Sequence, residues 1–179
     1  MPTVERATVP EDSLLHAYAA REGCYTDCFF ADVHGPPDLE QYVNLFFNSR
    51  AFRFERRVLS VFGRGPVTGE AIAALASGDA QRFAIWKVEN RTSSELMLAV
   101  TGAPLRTWLK VDAVAASRDR ARLMFGSVSL PSPRSRADNP RPGLAYRLFV
   151  PFHLAYSRFL LNGAAADWQR GRPQPEAPE

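Results

Sequence analysis

The sequence predicts one α+β domain, in which a curved antiparallel sheet wraps a long C-terminal helix and two or three short helices follow the first strand. Apolar residues recur at helical spacing in the first half of the chain and alternate along strands after Gln81. Short polar turns separate these later strands, which is typical of an antiparallel meander. A last helical pattern covers residues 144–169, and a sheet wrapped around it would bury both apolar faces.

The composition is that of an ordinary globular protein. The chain has 179 residues, 46% hydrophobic and 23% charged, so we expect a single domain with a sizeable core. The net charge of +3 is too small to favour nucleic-acid binding. Lysine occurs only at Lys87 and Lys110, and the excess of arginine and alanine is typical of a GC-rich bacterial genome.

Targeting signals are lacking in the sequence. No apolar run reaches the roughly 20 residues of a membrane helix, and residues 1–12 lack the apolar core of a signal peptide. Cys24 and Cys28 are too few for a disulfide framework. We therefore expect a cytoplasmic protein with reduced thiols and no membrane span.

The first third of the chain predicts a tail, a short helix, a strand and an amphipathic helix. Residues 1–12 are expected to be a flexible tail, and residues 13–22 have the pattern of a short helix. Residues 25–33 alternate as a strand does. Asp38 is a candidate N-cap for a helix with one buried face. That face would comprise Leu39, Tyr42, Val43, Phe46 and Phe47.

Two more helices and four more strands follow. The helices are predicted over residues 52–61 and 68–76, the second capped by Thr68 and ended by Gly78. The strands are predicted over residues 83–89, 95–101, 105–115 and 122–130. Five strands are few for a sheet that wraps a helix, so either a further strand lies in residues 58–62 or 144–150, or the sheet is smaller.

The C-terminal part predicts an exposed loop and the longest helix. Residues 131–143 are rich in Pro, Ser and Arg, which is typical of a loop. In the helix, Pro151 should produce a kink or mark the true start. Its predicted apolar stripe comprises Leu148, Phe152, Ala155, Phe159 and Gly163. The folded domain would span residues 13–169, with a second flexible tail over residues 170–179.

This order of elements is that of the helix-grip fold, and the chain resembles uncharacterised bacterial families of the START-like, birch-pollen-allergen-like (SRPBCC) superfamily. Segments across most of the chain carry the resemblance: residues 25–29, 82–88, 106–109, 125–127 and 151–153. The resemblance implies a deep cavity between the sheet and the C-terminal helix. Superfamily members bind lipids, sterols or polyketides, and some are cyclases or hydroxylase components, but none of their motifs maps onto residues of this chain.

The leading functional hypothesis is a module that binds a small apolar or amphipathic molecule without a cofactor or metal. Strand parity and the helical wheel predict the residues that line its cavity. They are Trp86 (or Phe83), Leu98, Phe125, Phe152, His153, Tyr156 and Phe159.

A second hypothesis is a cyclase or lyase on the same fold. His153 would act as general base or hydrogen-bond donor beside Tyr156, one helical turn away. The plainer interpretation is a half-buried histidine bonded to the sheet or to water, and a tyrosine whose hydroxyl bonds a strand. Asp27 and Glu89 would do acid–base work only if they met across a cavity, and we expect both to face solvent.

A third hypothesis is a protein-interaction domain, including a homodimer. Trp108 shares a strand face with Arg106, Lys110 and Asp112, so we expect it to be exposed among charges. The arginines of the loop would extend this surface: Arg134, Arg136 and Arg141.

Other clusters favour a structural role. The spacing of Cys24, Cys28, His16 and His34 matches no established zinc pattern. A second set of arginines, Arg50, Arg53 and Arg57, is expected to form the solvated side of a helix.

Overall fold

The computed structural model describes residues 2–52, 68–114, 117, 119–131 and 144–171, with the main chain alone over 144–151. The strands are β1 (Glu5–Arg6), β2 (Tyr25–His34), β3 (Arg82–Phe83), β4 (Trp86–Arg91), β5 (Glu95–Val100), β6 (Leu105–Ala113) and β7 (Arg120–Ser129). The helices within these residues are α1 (His16–Ala19), α2 (Leu39–Asn48), α3 (Gly69–Ser77) and α4 (Leu144–Arg170).

The strands described form one antiparallel sheet in the order β1-β2-β7-β6-β5-β4-β3. The α+β class, the antiparallel meander and the long C-terminal helix are therefore confirmed. One of the two additional strands, β1, lies in the predicted tail. The other arises because a turn at residues 84 and 85 divides the predicted strand over residues 83–89 into β3 and β4, so neither lies in the places suggested for a further strand. Residues 144–150 are helical, and residues 58–62 lie outside the described part of the chain.

The N-terminal residues are not a loose tail, so that prediction is wrong. Glu5 and Arg6 pair with Phe30 and Phe29 of β2, and the Ala7 N–H donates to the Cys28 carbonyl at 2.9 Å. A strand of two residues is too short for its alternation to be recognised in a sequence. The remaining residues of the predicted C-terminal tail, 172–179, lie outside the described residues.

The positions of α2 and α3 were predicted correctly from capping residues and helical spacing. The Asp38 carboxylate accepts from the Gln41 N–H at 3.0 Å, and all five predicted apolar residues of α2 are buried. At α3, the Thr68 hydroxyl accepts from the Ala71 N–H at 3.2 Å. Gly78 ends that helix with a φ of +95°, a conformation that glycine adopts without strain. The predicted helix over residues 52–61 lies almost wholly outside the described residues.

Three residues of the predicted apolar stripe of α4 do not belong to the buried face of the helix. Phe152 and Phe159 are 69% and 56% exposed, and Ala155 is exposed as well. The buried face consists of Ser157, Leu160, Leu161, Ala164, Ala165 and Trp168. The alanines allow α4 to lie close to its neighbours, and a β-carbon on Gly163 would come within 3.0 Å of Ala51. The buried face therefore combines large apolar side chains with small residues at which α4 lies close to its neighbours.

The sheet has two covered faces. The inner face, which includes Phe29, Leu109 and Phe125, packs against α2 and α4 in the main core. The outer face, which includes Cys28, Trp108 and Met124, packs against Leu15 and other residues of the segment around α1. The N-terminal segment therefore completes a second, smaller core.

Trp108 is completely buried on the outer face, which corrects the expectation of an exposed contact residue. Its indole N–H donates to Glu95 Oε2 at 2.7 Å, and the same oxygen accepts from the Leu14 N–H at 2.8 Å. Lys110 is also buried, with its ammonium 3.8 Å from Glu95 and 3.4 Å from Asp12. The prediction failed because no local pattern indicates that the predicted short helix, with the residues before it, packs over this face of the sheet.

The charges around Lys110 determine its protonation. Burial acts to lower the pKa of the Lys110 ammonium, but the carboxylates around it outweigh burial and the pKa lies above its usual value. These carboxylates are those of Asp112, Glu95 and Asp12. The outer face therefore buries a cation together with one buried counter-ion, Glu95, and two more exposed carboxylates at its edge.

Candidate functional site

A cavity of about 330 Å3 lies between the inner face of the sheet and the helices α2 and α4. The strands contribute residues from β2, β4, β5, β6 and β7, and α4 contributes one face of its middle turns.

Most of the wall is aromatic. Phe46 of α2 stacks on Phe125 of β7 with their ring centroids 5.3 Å apart. Phe47 and Phe52 each lie 5.8 Å from Trp86, centroid to centroid. These rings pack against one another and leave a rigid apolar surface towards the cavity, which suits an apolar ligand.

The opposite end is polar because of strand register. Ser127 of β7 lies directly opposite Asp27 of β2 on one side and Thr107 of β6 on the other. All three side chains share the inner face, since successive residues of a strand point to opposite faces. The adjoining row along the sheet is apolar, with Phe29, Phe125 and Leu109. The inner face therefore changes from apolar to polar between residues that are two positions apart along each strand.

Asp27, Ser127 and His153 form a hydrogen-bonded cluster at this polar end. Asp27 Oδ1 accepts from the Ser127 N–H at 2.9 Å and from the Ser127 hydroxyl at 2.8 Å. His153 Nε2 of α4 lies 2.6 Å from Ser127 Oγ and 3.1 Å from Asp27 Oδ2. The Asp27 side chain is fully buried, whereas that of His153 is 23% exposed. The cluster thus connects a buried carboxylate to the cavity.

The geometry of this cluster differs from that of a serine nucleophile. Ser127 Oγ donates to Asp27 Oδ1, and His153 Nε2 bonds the same serine oxygen in a direction that depends on the tautomer of the ring. In a hydrolytic triad the serine gives its proton to the histidine, and the carboxylate holds the other ring nitrogen. Here the serine and the carboxylate meet the same nitrogen. The cluster is therefore built to orient polar groups.

Two further polar groups are buried in the cavity wall. Ser157 Oγ and Trp86 Nε1 have no hydrogen-bond partner among the residues that the structure describes. Both residues line the cavity, and buried polar groups are rarely left unpaired in folded proteins.

Five of the predicted ligand-binding residues line the cavity. They are Trp86, Phe125, Phe152, His153 and Tyr156. Leu98 does not, because it is fully buried deeper in the core. Phe159 does not either, because it lies on the exposed side of α4. Phe83, the alternative to Trp86, stacks behind Trp86 at 5.8 Å and is absent from the cavity wall.

The sequence contained a signal for Asp27 that the prediction did not use. Asp27 alternates with Tyr25, Phe29 and Ala31, so it shares its strand face with residues that are expected to be buried. The expectation of a solvent-facing carboxylate is wrong for Asp27 and right for Glu89, which is exposed and bonds Arg106 at 2.6 Å. Ser127 had no such signal, because its role depends on pairing with a strand 100 residues away.

The cysteines do not take part in the cavity. Cys28 is buried on the outer face, and burial, reinforced by the charge of Asp27, raises the pKa of its thiol to about 12. A protonated thiol is a poor nucleophile and a poor zinc ligand. Within the described part of the chain, no three His, Cys, Asp or Glu residues are grouped so that they could hold a metal ion.

The expected arginine surfaces lie mostly outside the described residues. Arg50 is exposed, whereas Arg53 and Arg57 are not described. The same holds for the loop arginines at 134, 136 and 141. Among the helices described, none is both long and apolar enough to cross a membrane.

Comparisons with known proteins identify no family. No protein-family model matches the chain, and no curated protein matches it. Among solved structures, the chain is similar to a conserved protein of unknown function from Enterococcus faecalis. The identity is 10%, the TM-score is 0.39, and the match covers 86% of this chain and 78% of that chain. At this TM-score the similarity assigns neither a fold family nor a function.

Proposed function

We propose that the protein binds a small, mainly apolar molecule in the cavity between the inner face and α4, with the polar part of that molecule at the Asp27–Ser127–His153 cluster. The observation that carries the proposal is the combination of an aromatic wall with one hydrogen-bonding end. Ligand sites in proteins typically have this composition, because apolar contact supplies affinity and a few polar groups fix orientation.

The size of the cavity limits the ligand. Its volume of about 330 Å3 lies near the lower end of the roughly 300–1,000 Å3 found for ligand pockets. A compact one- or two-ring compound suits this volume better than a sterol or a long acyl chain. The flat stacked rings of Phe46 and Phe125 favour a planar apolar part.

The arrangement also supports a relationship to the helix-grip proteins. We include in the proposal that the chain is a member of the START-like, birch-pollen-allergen-like superfamily, with a sheet that wraps α4. The support is the order of elements together with the position of the cavity between the sheet and the C-terminal helix. On this proposal the protein acts in the cytoplasm and needs no cofactor.

The proposal is tested by filling the cavity. Val100 lines the cavity, and Val100→Phe would occupy part of its volume. Val114→Phe is the matched control, because Val114 is partly exposed after β6 and does not line the cavity. Native mass spectrometry of each purified protein reports small molecules that remain bound. Thermal-shift assays with one- and two-ring compounds report stabilisation, since a ligand selective for the folded state raises Tm.

We expect retained or stabilising compounds with the wild type and with Val114→Phe, and none with Val100→Phe. Equal stabilisation of all three proteins by the same compounds would place binding elsewhere and contradict the proposal.

Catalysis on the bound molecule is a second candidate function. The observation that favours it is the placement of His153 and Tyr156 on one cavity wall, with His153 held by Ser127 and Asp27. A positioned histidine can transfer protons to and from a bound compound. The test is the chromatographic profile of a bound compound after incubation with the wild type and with His153→Gln. An unchanged profile with the wild type would leave binding as the function.

A further inference from the structure

We infer that the cavity selects its ligand by charge: it accepts a small apolar molecule whose polar head is a hydroxyl or an ammonium group, and it rejects the corresponding carboxylate. This inference rests on the proposed function, because it specifies which class of small molecule the same cavity takes. It arises from the buried charge behind the polar end.

Asp27 places a fixed negative charge at the polar end of the cavity. Its side chain has no exposed surface, and two donors from Ser127 hold Oδ1. Ser127 Oγ lies 2.8 Å from Asp27 Oδ1, so a ligand head bonded to Ser127 would lie close to the Asp27 carboxylate. Because that carboxylate is buried, water screens its charge poorly.

Within the described part of the chain, Arg106 and Lys110 are both engaged in ion pairs. Arg106 contributes to the cavity wall, but its guanidinium binds Glu89 at 2.6 Å. Lys110 lies on the outer face with Glu95, Asp12 and Asp112. Among the side chains that the structure describes, His153 is the one basic group within hydrogen-bonding distance of Asp27. A carboxylate ligand would therefore meet a second carboxylate without an additional strong base between them.

The hydrogen-bonding pattern leads to the same class of ligand. Ser127 donates its only hydroxyl proton to Asp27, so towards any further partner its oxygen can only accept. A hydroxyl or ammonium head supplies the proton that this oxygen lacks. A carboxylate has acceptors only, and so it cannot bond to Ser127 without breaking the bond between Ser127 and Asp27.

The experiment uses three probes that share one ring system: 2-naphthylmethanol, 2-naphthylmethylamine and 2-naphthoate. Isothermal titration calorimetry with the full chain gives the Kd of each at about pH 8.5, where histidine side chains are ordinarily neutral. We expect the alcohol and the amine to bind at least roughly tenfold more tightly than the naphthoate, as repulsion between two poorly screened charges requires. This ranking needs only the wild-type protein.

Two variants assign the discrimination to Asp27. Asp27→Asn removes the charge and should bring the three Kd values within about threefold of one another. Asp32→Asn is the matched control, because Asp32 lies on the same strand but bonds Arg122 at 2.7 Å, away from the cavity. It should leave the discrimination unchanged.

The outcomes separate the inference from the proposed function. Wild-type binding of naphthoate that equals or exceeds that of the alcohol would overturn the inference and leave the cavity as a binding site. Discrimination that persists in a folded Asp27→Asn variant would overturn the role of Asp27. Failure of all three probes to bind would contradict both the inference and the proposed site for small ring compounds.

Discussion

The two faces of the sheet bury polar groups in opposite ways. On the outer face, one oxygen of Glu95 accepts from both Trp108 and Leu14, and Lys110 lies beside its counter-ions. On the inner face, Asp27 and Ser127 stand beside an empty volume of about 330 Å3, and Ser157 has no partner among the residues described. A face whose polar groups are satisfied within the chain has a structural role, whereas a face that leaves them beside a cavity is suited to a ligand.

Two of the buried tryptophans, Trp108 on the outer face and Trp86 on the inner face, provide the most direct test of this comparison. Trp108→Phe should cost about 2–4 kcal/mol of unfolding free energy, because it removes buried volume and also a donor to the buried Glu95 carboxylate. Trp86→Phe should cost about 1–2 kcal/mol, because among the described residues its indole N–H has no partner to lose. Urea unfolding of both variants measures the difference, and equal losses would contradict the contrast between the faces.

Gly126 tests how tightly the outer face is packed. A β-carbon at this position would lie 2.6 Å from Leu15 Cδ2, 2.7 Å from the Asp27 carbonyl oxygen and 2.9 Å from the Trp108 ring. Gly126→Ala should therefore destabilise the protein by about 1–3 kcal/mol, because the backbone oxygen cannot move aside freely. Gly69→Ala is the control, because a β-carbon at Gly69 meets nothing within 4 Å. Gly102 is unsuitable because its φ of +77° would strain an alanine. If Gly126→Ala lost no more unfolding free energy than Gly69→Ala, the outer face would be able to accommodate the added methyl group, which would contradict tight packing.

The inner face offers a matched pair of serines. Ser127→Ala removes one of the two donors to Oδ1 of Asp27 and should cost about 1–2 kcal/mol. Ser157→Ala removes a hydroxyl that has no partner among the described residues, so the change should lie within about 0.5 kcal/mol of zero. Thermal and urea unfolding of both variants check the pair. A loss of more than about 1 kcal/mol in Ser157→Ala would mean that its hydroxyl is already used in the folded chain.

The smallest expected effect is that of the Asp32–Arg122 ion pair on stability, and it depends on pH. The hydrogen bonds from Arg122 hold the pKa of the Asp32 carboxyl below its usual value, although burial acts in the opposite direction. A lowered pKa in the folded state stabilises the protein above the unfolded pKa of about 3.9, and this stabilisation is lost as the pH falls through the folded value. Asp32→Asn should therefore be less stable than the wild type by less than about 1 kcal/mol at pH 7.

The gap between Asp32→Asn and the wild type should close as the pH falls below about 3.9, the pKa of an unperturbed aspartate. Urea midpoints measured across this range test the expectation. A gap that widens in acid would mean that the ion pair with Arg122 does not account for the pH dependence.

The sequence predicted the elements whose signals are local. The Asp38 and Thr68 caps lie within three residues of the groups they bind, and Gly78 ends α3 through its own backbone freedom. Strand alternation and short turns likewise fixed β4 to β7 in order. These features can be recognised in a sequence because no distant residue contributes to them.

The failures all depend on contacts between distant segments. Trp108 is buried because a segment more than 80 residues earlier covers it, and that segment has almost no secondary structure to reveal this. On α4, the sequence offers two apolar faces, and the one with Leu160 and Ala164, rather than the one with Phe152 and Phe159, packs against the core. Helical spacing identifies candidate faces, and only packing chooses between them.

The polar groups of the candidate site were predicted on the helix and missed on the sheet, because those on the sheet depend on contacts between distant segments. His153 and Tyr156 were found because they flank an apolar helix pattern. The partner of His153 on the sheet, Ser127, required the pairing of β2 with β7, which no local pattern specifies. A site built across a sheet and a helix therefore becomes visible only once the register is known.

The central claim is that the inner face binds a small ligand while the outer face is structural, and the three tryptophans test it directly. Each indole N–H gives its own signal in a 15N–1H NMR spectrum, and Trp→Phe variants assign the signals. Trp86 lines the cavity, Trp108 donates to Glu95, and Trp168 donates to the His34 carbonyl at 2.8 Å. Titration with 2-naphthylmethanol should shift the Trp86 signal and leave that of Trp108 in place. A shift of Trp108 without Trp86, or no shift of either at saturating probe, would contradict the account.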